Sequence, residues 1–355
     1  MTLFPTPREL PMSHTKLVVL ALSLVVSAAS VARAQPSARP YRVVQTFHVG
    51  GAGGWDYLTA DPQRKLLYVP RSTHTMVIDA ESGKTVADIP GQRRNHGVAI
   101  VPSAGRGFIS DGQDASVTIF DLKTNKALGK VQAADDADCI IYDPNCGKVL
   151  LSCGDAKALL AIAPDVDLQT GKADATIDLG GKPEFLAADQ ARIYVNLVDK
   201  DQVAVIDSKT MKVIHKWPTA PGGGPAGMSI DPGRHRLFVG CRKPPKLIVM
   251  SAEDGKVLAD LPIGPGVDAT HFDGANFFAS CRDGTLAIGG ETAPGKFAII
   301  ETVATKPGAR TMGLDPTTHT FYLPTAEFAA GSSGKSRPAA KPGTFMILVV
   351  RQAGQ

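Results

Sequence analysis

Short apolar runs recur along the chain, each split from the next by a polar break rich in Asp, Pro and Gly. The segment "MSIDPGRHRLFVGC", from Met228 to Cys241, is one such unit. Its two apolar runs predict short strands, and Asp231-Pro232-Gly233 predicts the hairpin turn between them. The same phrase returns as "YLTADPQRKLLYVP" from Tyr57, "CIIYDPNCGKVLLSC" from Cys139 and "MGLDPTTHTFYLP" from Met312. The turn falls at Asp61, Val101, Asp143, Asp189, Asp231, Asp273 and Asp315, at intervals of 40, 42, 46, 42, 42 and 42 residues. A near-constant period of this size marks a repeat architecture.

The second half of each copy adds a third strand, a Gly- or Lys-containing turn and a fourth strand. "MVIDAESGKTVADI" (Met76 to Ile89), "VAVIDSKTMKVIHKW" (Val203 to Trp217) and "LIVMSAEDGKVLADL" (Leu247 to Leu261) show it. Four strands per copy and no helical period predict an all-β, seven-bladed β-propeller. The last copy ends on "TFMILVV" (Thr344 to Val350) and lacks a fourth strand, while "YRVVQTFHV" (Tyr41 to Val49) stands unpaired before the first. The N-terminal strand is therefore expected to complete the last blade and close the ring, hiding two sheet edges.

The leader changes the reading of compartment. Lys16 precedes an apolar run from Leu17 to Val26, which ends at Ala32-Arg33-Ala34, a signal-peptide pattern. Residues 1–34 are read as that peptide, with Met12 as the alternative start, and residues 35–355 as one propeller domain. The run is too short to span a bilayer, so the mature chain is expected to be periplasmic or secreted, without a transmembrane segment. It is also expected to be a monomer. "AAGSSGKSRPAAKPG", residues 329–343, reads as a flexible loop whose Lys335, Arg337 and Lys341 could meet an acidic partner. Export raises the matter of disulfides. Cys241 with Cys281, and Cys139 with Cys153, are the candidate pairs, against a reading of all five cysteines as small buried thiols. A net charge of +4 spread along the chain gives no basic patch for nucleic acid.

The phrases "LLYVPRS", "RIYVNLV", "RLFVGCR" and "VIDSKTMKVI" resemble the YncE-like, YVTN-repeat β-propellers of exported bacterial proteins. The resemblance covers almost the whole mature chain. It implies the propeller and leaves the ligand open, since such proteins are variously associated with single-stranded DNA, surface layers and quinone-cofactor metabolism. It carries over no catalytic motif.

Candidate chemistry comes from aligning the copies. Five residues before each turn stand Asp56, His96, Asp138, Glu184, Ala226, Asp268 and Arg310. Two residues further along the same face stand Leu58, Val98, Ile140, Leu186, Met228, Thr270 and Met312. The first set predicts a ring of ionisable groups at one mouth of the central channel, and the second an almost wholly apolar layer beneath it. Asp56, His96, Asp138, Glu184, Asp268 and Arg310 are the candidate ligand-binding residues. Four carboxylates and an imidazole also suit a divalent cation. The leading reading is a binding protein for a small molecule or a periplasmic protein at this mouth. The alternative is a metal-dependent lactonase- or cyclase-like enzyme, with His96 as base and the four acids as ligands. Single-stranded DNA stands last, because binding it calls for a basic groove with stacking aromatics. His271 reads as a satisfied core or channel histidine, and Trp55 as a packing residue. "PGGGPAG" (Pro221 to Gly227) reads as a connection, since no helix or Lys-Ser/Thr pair follows it.

Overall fold

The computed structural model describes residues 1–4, 39–329 and 339–354. The expected signal peptide, apart from Met1 to Phe4, and the middle of the 329–343 loop lie outside the described residues. From Arg39 onward the chain is all-β, with one short 3-10 turn at Pro102–Ala104. No described helix is long and apolar enough to cross a membrane.

The strands form six antiparallel sheets. Three follow the chain in order: Pro183–Asp189 to Lys212–Pro218, Pro225–Asp231 to Val257–Pro262, and Val267–Asp273 to Lys296–Ala304. A fourth holds Ala137–Asp143, Lys148–Cys153, Ala158–Ile162 and Ala175–Asp178. The fifth has seven strands, because Thr85–Val101 is a single 17-residue strand. Its first part pairs with Ser72–Asp79 and its last part, from Asn95, with Arg106–Asp111. The sixth joins the two ends of the chain: Tyr41–His48 lies beside Met346–Gln352, which continues to Thr320–Thr325 and Gly313–Asp315. The whole is β-propeller-like.

Local sequence explains the hairpins. Asp121, Asp167 and Asp207 each accept hydrogen bonds from the backbone N–H groups two and three residues on, and from the hydroxyl of the Thr three residues on. This is the Asx turn that a D-x-x-T sequence favours. The bonds stabilise the carboxylate and hold all three pKa values below the usual aspartate range.

Packing lies between sheets. The middle strands are buried on both faces, and their side chains fill apolar clusters between neighbouring sheets. The N-terminal strand contributes Tyr41 and Phe47, both under a tenth exposed. Burying two such side chains is worth roughly 3–6 kcal/mol together.

The loop that follows is held by Arg71, which is fully buried. Its guanidinium donates to the carbonyls of Gly54 at 2.9 Å, Gly50 at 3.0 Å and Gly53 at 3.0 Å, and stacks 3.7 Å above the Phe345 ring. Burial without an acid in contact lowers its pKa to about 10. Gly53 is required there: its φ is +95°, and a Cβ would sit 2.2 Å from the Arg71 carbonyl oxygen. Trp55 packs on Phe328 and Phe345, in keeping with a packing role.

Neither candidate disulfide forms, and all five cysteines are free thiols. A register shift in its hairpin sets Cys153 opposite Ala137 rather than Cys139, and the two thiols pack into different clusters on opposite sheet faces. Cys241 and Cys281 are likewise in separate clusters. Burial raises the pKa of Cys153, Cys241 and Cys281 to about 12. At the base of the 329–343 loop, Lys341 pairs with Glu327 at 3.5 Å.

Candidate functional site

The residues aligned from the sequence do meet. Four of the six lie at a register shift in the first strand of their four-stranded repeat: His96 between Asn95 and Val98 in the shared strand Thr85–Val101, Asp138 between Ala137 and Ile140, Glu184 between Pro183 and Leu186, and Asp268 between Val267 and Ala269. Such bulges re-aim a side chain away from the strand's alternation. Polar side chains from neighbouring sheets fix the same backbone. Ser152 Oγ donates to the Glu184 carbonyl at 2.9 Å and Ser280 Oγ to that of Arg310 at 2.6 Å. Asn196 Nδ2 donates to Ala226 at 2.7 Å and Thr311 Oγ1 to Asp56 at 3.0 Å.

The side chains form a chain of ion pairs. His96 Nδ1 lies 2.7 Å from Asp56 Oδ2 and 3.4 Å from Asp138 Oδ1. Arg310 Nη2 lies 3.6 Å from Asp56 Oδ1, and its Nε 2.7 Å from Asp268 Oδ2. Arg242, absent from the sequence-derived set, completes it: its Nη2 pairs with Asp268 and with Glu184, the latter at 2.8 Å. Arg242 ends the second strand of the sheet whose aligned position is Ala226, the one apolar member of the seven. The small Ala226 leaves room that the long arginine crosses to reach the acids on either side.

The groups are mostly buried, with side-chain exposure from 7% at Asp268 to 32% at Arg242. Burial alone would hold the His96 imidazolium down, but the hydrogen bond to Asp56 and the charges of Asp138 and Asp56 outweigh it, so its pKa is raised. Burial pushes the Asp138 carboxyl well above its usual range, against His96 and with Asp56 and Glu184. Glu184 is raised by burial, with Arg242 opposing. Tyr57 lies behind the ring: burial and then the charges of Asp268, Glu184, Asp138 and Asp56 raise its phenol well above 10.0. Its ring meets Phe185 edge to face at 5.0 Å.

On the other side of Tyr57 and Phe185 the first strands enclose an open cavity of about 480 Å³. Leu58, Val98, Ile140 and Met312 of the expected apolar layer line it, together with Ile141, Tyr142, Leu314 and His271. Leu186, Met228 and Thr270 of that layer do not; they are buried between sheets. The far rim carries the turn residues Asp61, Pro62 and Thr317. His271 Nε2 lies 3.1 Å from the Met312 carbonyl, to which it donates. Ring and cavity thus share the same strands, with two aromatic side chains between them.

Two chemistries are available. Donor atoms of Asp56, His96 and Asp138 lie within 4.8 Å of one another, close enough to ligate one divalent cation. His96 Nε2 is buried without a partner and faces Gly112, where a Cβ would lie 3.0 Å from it. The cavity is suited to a small, largely apolar molecule.

No family model and no curated protein matches the chain. Among solved structures, hydrazine synthase of Kuenenia stuttgartiensis is similar over 78% of this chain and 93% of that chain, at 14% identity and a TM-score of 0.66. At that identity the likeness shows the fold alone, and the fold is β-propeller-like.

Proposed function

We propose that this chain is an exported, YncE-like binding protein built as a closed seven-bladed propeller, whose ligand occupies the apolar part of the central channel. The blade count is supported by the strand Thr85–Val101, which serves as last strand of one four-stranded unit and first strand of the next. Closure is supported by the pairing of Tyr41–His48 with Met346–Gln352. Deleting residues 35–49 is then expected to lower the melting temperature sharply, and an unchanged melting temperature would refute the closed ring.

The observation that carries the binding reading is the cavity: it is open at the turn-bearing rim, apolar along its walls, and closed at its inner end by Tyr57 and Phe185. The ring acts as a cross-link among the sheets, since most of its charges are paired with one another, His96 Nε2 being the buried nitrogen left over. A thermal-shift panel of neutral and charged aromatic compounds tests the reading, run beside Thr59→Trp, which places an indole in the cavity. Stabilisation of the parent protein that disappears in Thr59→Trp supports it. Equal shifts in both proteins would sink it.

The second reading keeps the ring as the site. The Asp56–His96–Asp138 cluster favours it, as a group that could hold a divalent cation for lactone hydrolysis or for cyclisation. Isothermal titration of Zn²⁺ and Mn²⁺ into the parent and Asp138→Ala proteins separates the two. Stoichiometric binding lost in the variant favours the metal site, and no heat in either protein removes it.

A further inference from the structure

The cavity lining holds one ionisable acid, Asp61, and that carboxylate is already paired with Arg64 at 2.9 Å. Nothing in the lining offers a free charge to meet an ion, and a charged ligand would lose its hydration for no partner. Among the other polar side chains the two threonines are committed, while Gln63 stands exposed at the rim and Tyr142 offers a hydroxyl. Thr59 Oγ1 donates to the Val98 carbonyl at 2.7 Å, and Thr317 Oγ1 to Asp315 at 2.6 Å.

His271 is different. The Met312 carbonyl can only accept, so Nε2 carries the proton and Nδ1 keeps its lone pair. Burial, opposed by the bond to Met312, holds the imidazole below the ordinary histidine pKa, which keeps it neutral. Nδ1 has no hydrogen-bond partner among the described residues, and the half-buried ring belongs to the cavity lining. The walls around it are aromatic and aliphatic: Tyr57, Tyr142, Phe185, Leu58, Ile140 and Met312.

We propose that the cavity takes an uncharged aromatic ligand of one or two rings bearing a single hydroxyl or N–H donor, which it gives to Nδ1 of His271. This rests on the cavity being the ligand site. Ring faces and edges of Tyr57, Tyr142 and Phe185 supply the apolar contact, and a volume of about 480 Å³ admits a molecule of that size. The acceptor discriminates, because a ligand lacking the donor leaves Nδ1 desolvated and unpaired.

Equilibrium dialysis of the full chain against 2-naphthol, naphthalene and 2-naphthoate tests the assignment, with His271→Leu, His271→Gln and Thr59→Trp in parallel. The expected result is 2-naphthol bound about ten-fold or more tighter than naphthalene, with no detectable 2-naphthoate. His271→Leu is expected to bring the two neutral probes level, and His271→Gln, whose amide oxygen can accept, to keep part of the preference. Equal affinities in the unsubstituted protein, or a preference that survives His271→Leu, would overturn the donor assignment and leave the cavity as a site. No binding of any probe, or binding indifferent to Thr59→Trp, would overturn both. The ratio in the unsubstituted protein decides the matter even where a variant fails to fold.

Discussion

The two ends of the channel are built from the same strands and behave oppositely. At one end bulges turn His96, Asp138, Glu184 and Asp268 toward one another, and Arg242 and Arg310 join them into a nearly continuous ion-pair chain. At the other end Leu58, Val98, Ile140 and Met312 leave an open, apolar space. Many ionisable groups do not by themselves make a binding site. Where most charges answer one another, less is left for a ligand; where walls are apolar and the His271 acceptor is unused, the space itself is the offer.

The largest effect is expected from breaking the ring. Arg242→Ala leaves Glu184 and Asp268 with one cation fewer, at a cost of about 3 kcal/mol in chemical denaturation. Adding Glu184→Gln is expected to recover part of that loss, because one stranded charge is removed. No loss in Arg242→Ala would mean that the ring does not hold the sheets. Leu58→Ala in the cavity wall is expected to cost less, about 2 kcal/mol, since one side of Leu58 already faces open space. It should also admit bulkier probes, and a loss larger than that of Arg242→Ala would reverse the comparison.

His96 sharpens the contrast through pH. Its folded-state pKa is raised, so its stabilisation is complete below the unfolded value of 6.5 and is lost as pH rises through the folded value. The gap in stability between the parent and His96→Gln is therefore expected to be largest below pH 6.5 and to shrink as pH rises. A gap that widens with pH would show that His96 is not charged between Asp56 and Asp138. The smallest effect on stability belongs to Thr59→Trp, within about 1 kcal/mol for the hydrogen bond to Val98. Ligand binding in that variant should nonetheless vanish, which a thermal-shift titration reads directly.

Much of this was legible in the sequence. The Asp-Pro turns gave the repeat, and stepping back from them gave six of the seven ring residues, because bulges at equivalent places preserve the register count between copies. Arg242 escaped the alignment because it lies on a second strand, and only its length and the small Ala226 bring it to the ring. The apolar layer was legible as a layer but not as a cavity. Leu186, Met228 and Thr270 have the same character as Leu58 and Met312, yet the first three are closed in between sheets. That asymmetry is a matter of how closely the sheets approach, which alternation along a strand does not encode. The acceptor on His271 was likewise hidden, since its free nitrogen depends on a carbonyl 41 residues away. The candidate disulfides failed for the same kind of reason: equivalent strand ends suggested Cys241 with Cys281 and one hairpin suggested Cys139 with Cys153, but each pair is split between different clusters, the second by a register shift.

The most direct measurement is the anomalous bromine signal in a crystal of the protein soaked with 6-bromo-2-naphthol. A peak between Leu58, Phe185 and Tyr142, with the naphthol oxygen within hydrogen-bond distance of His271 Nδ1, is the expected result. A peak at the Asp56–His96–Asp138 cluster with the cavity empty would contradict the assignment of the apolar end as the ligand site.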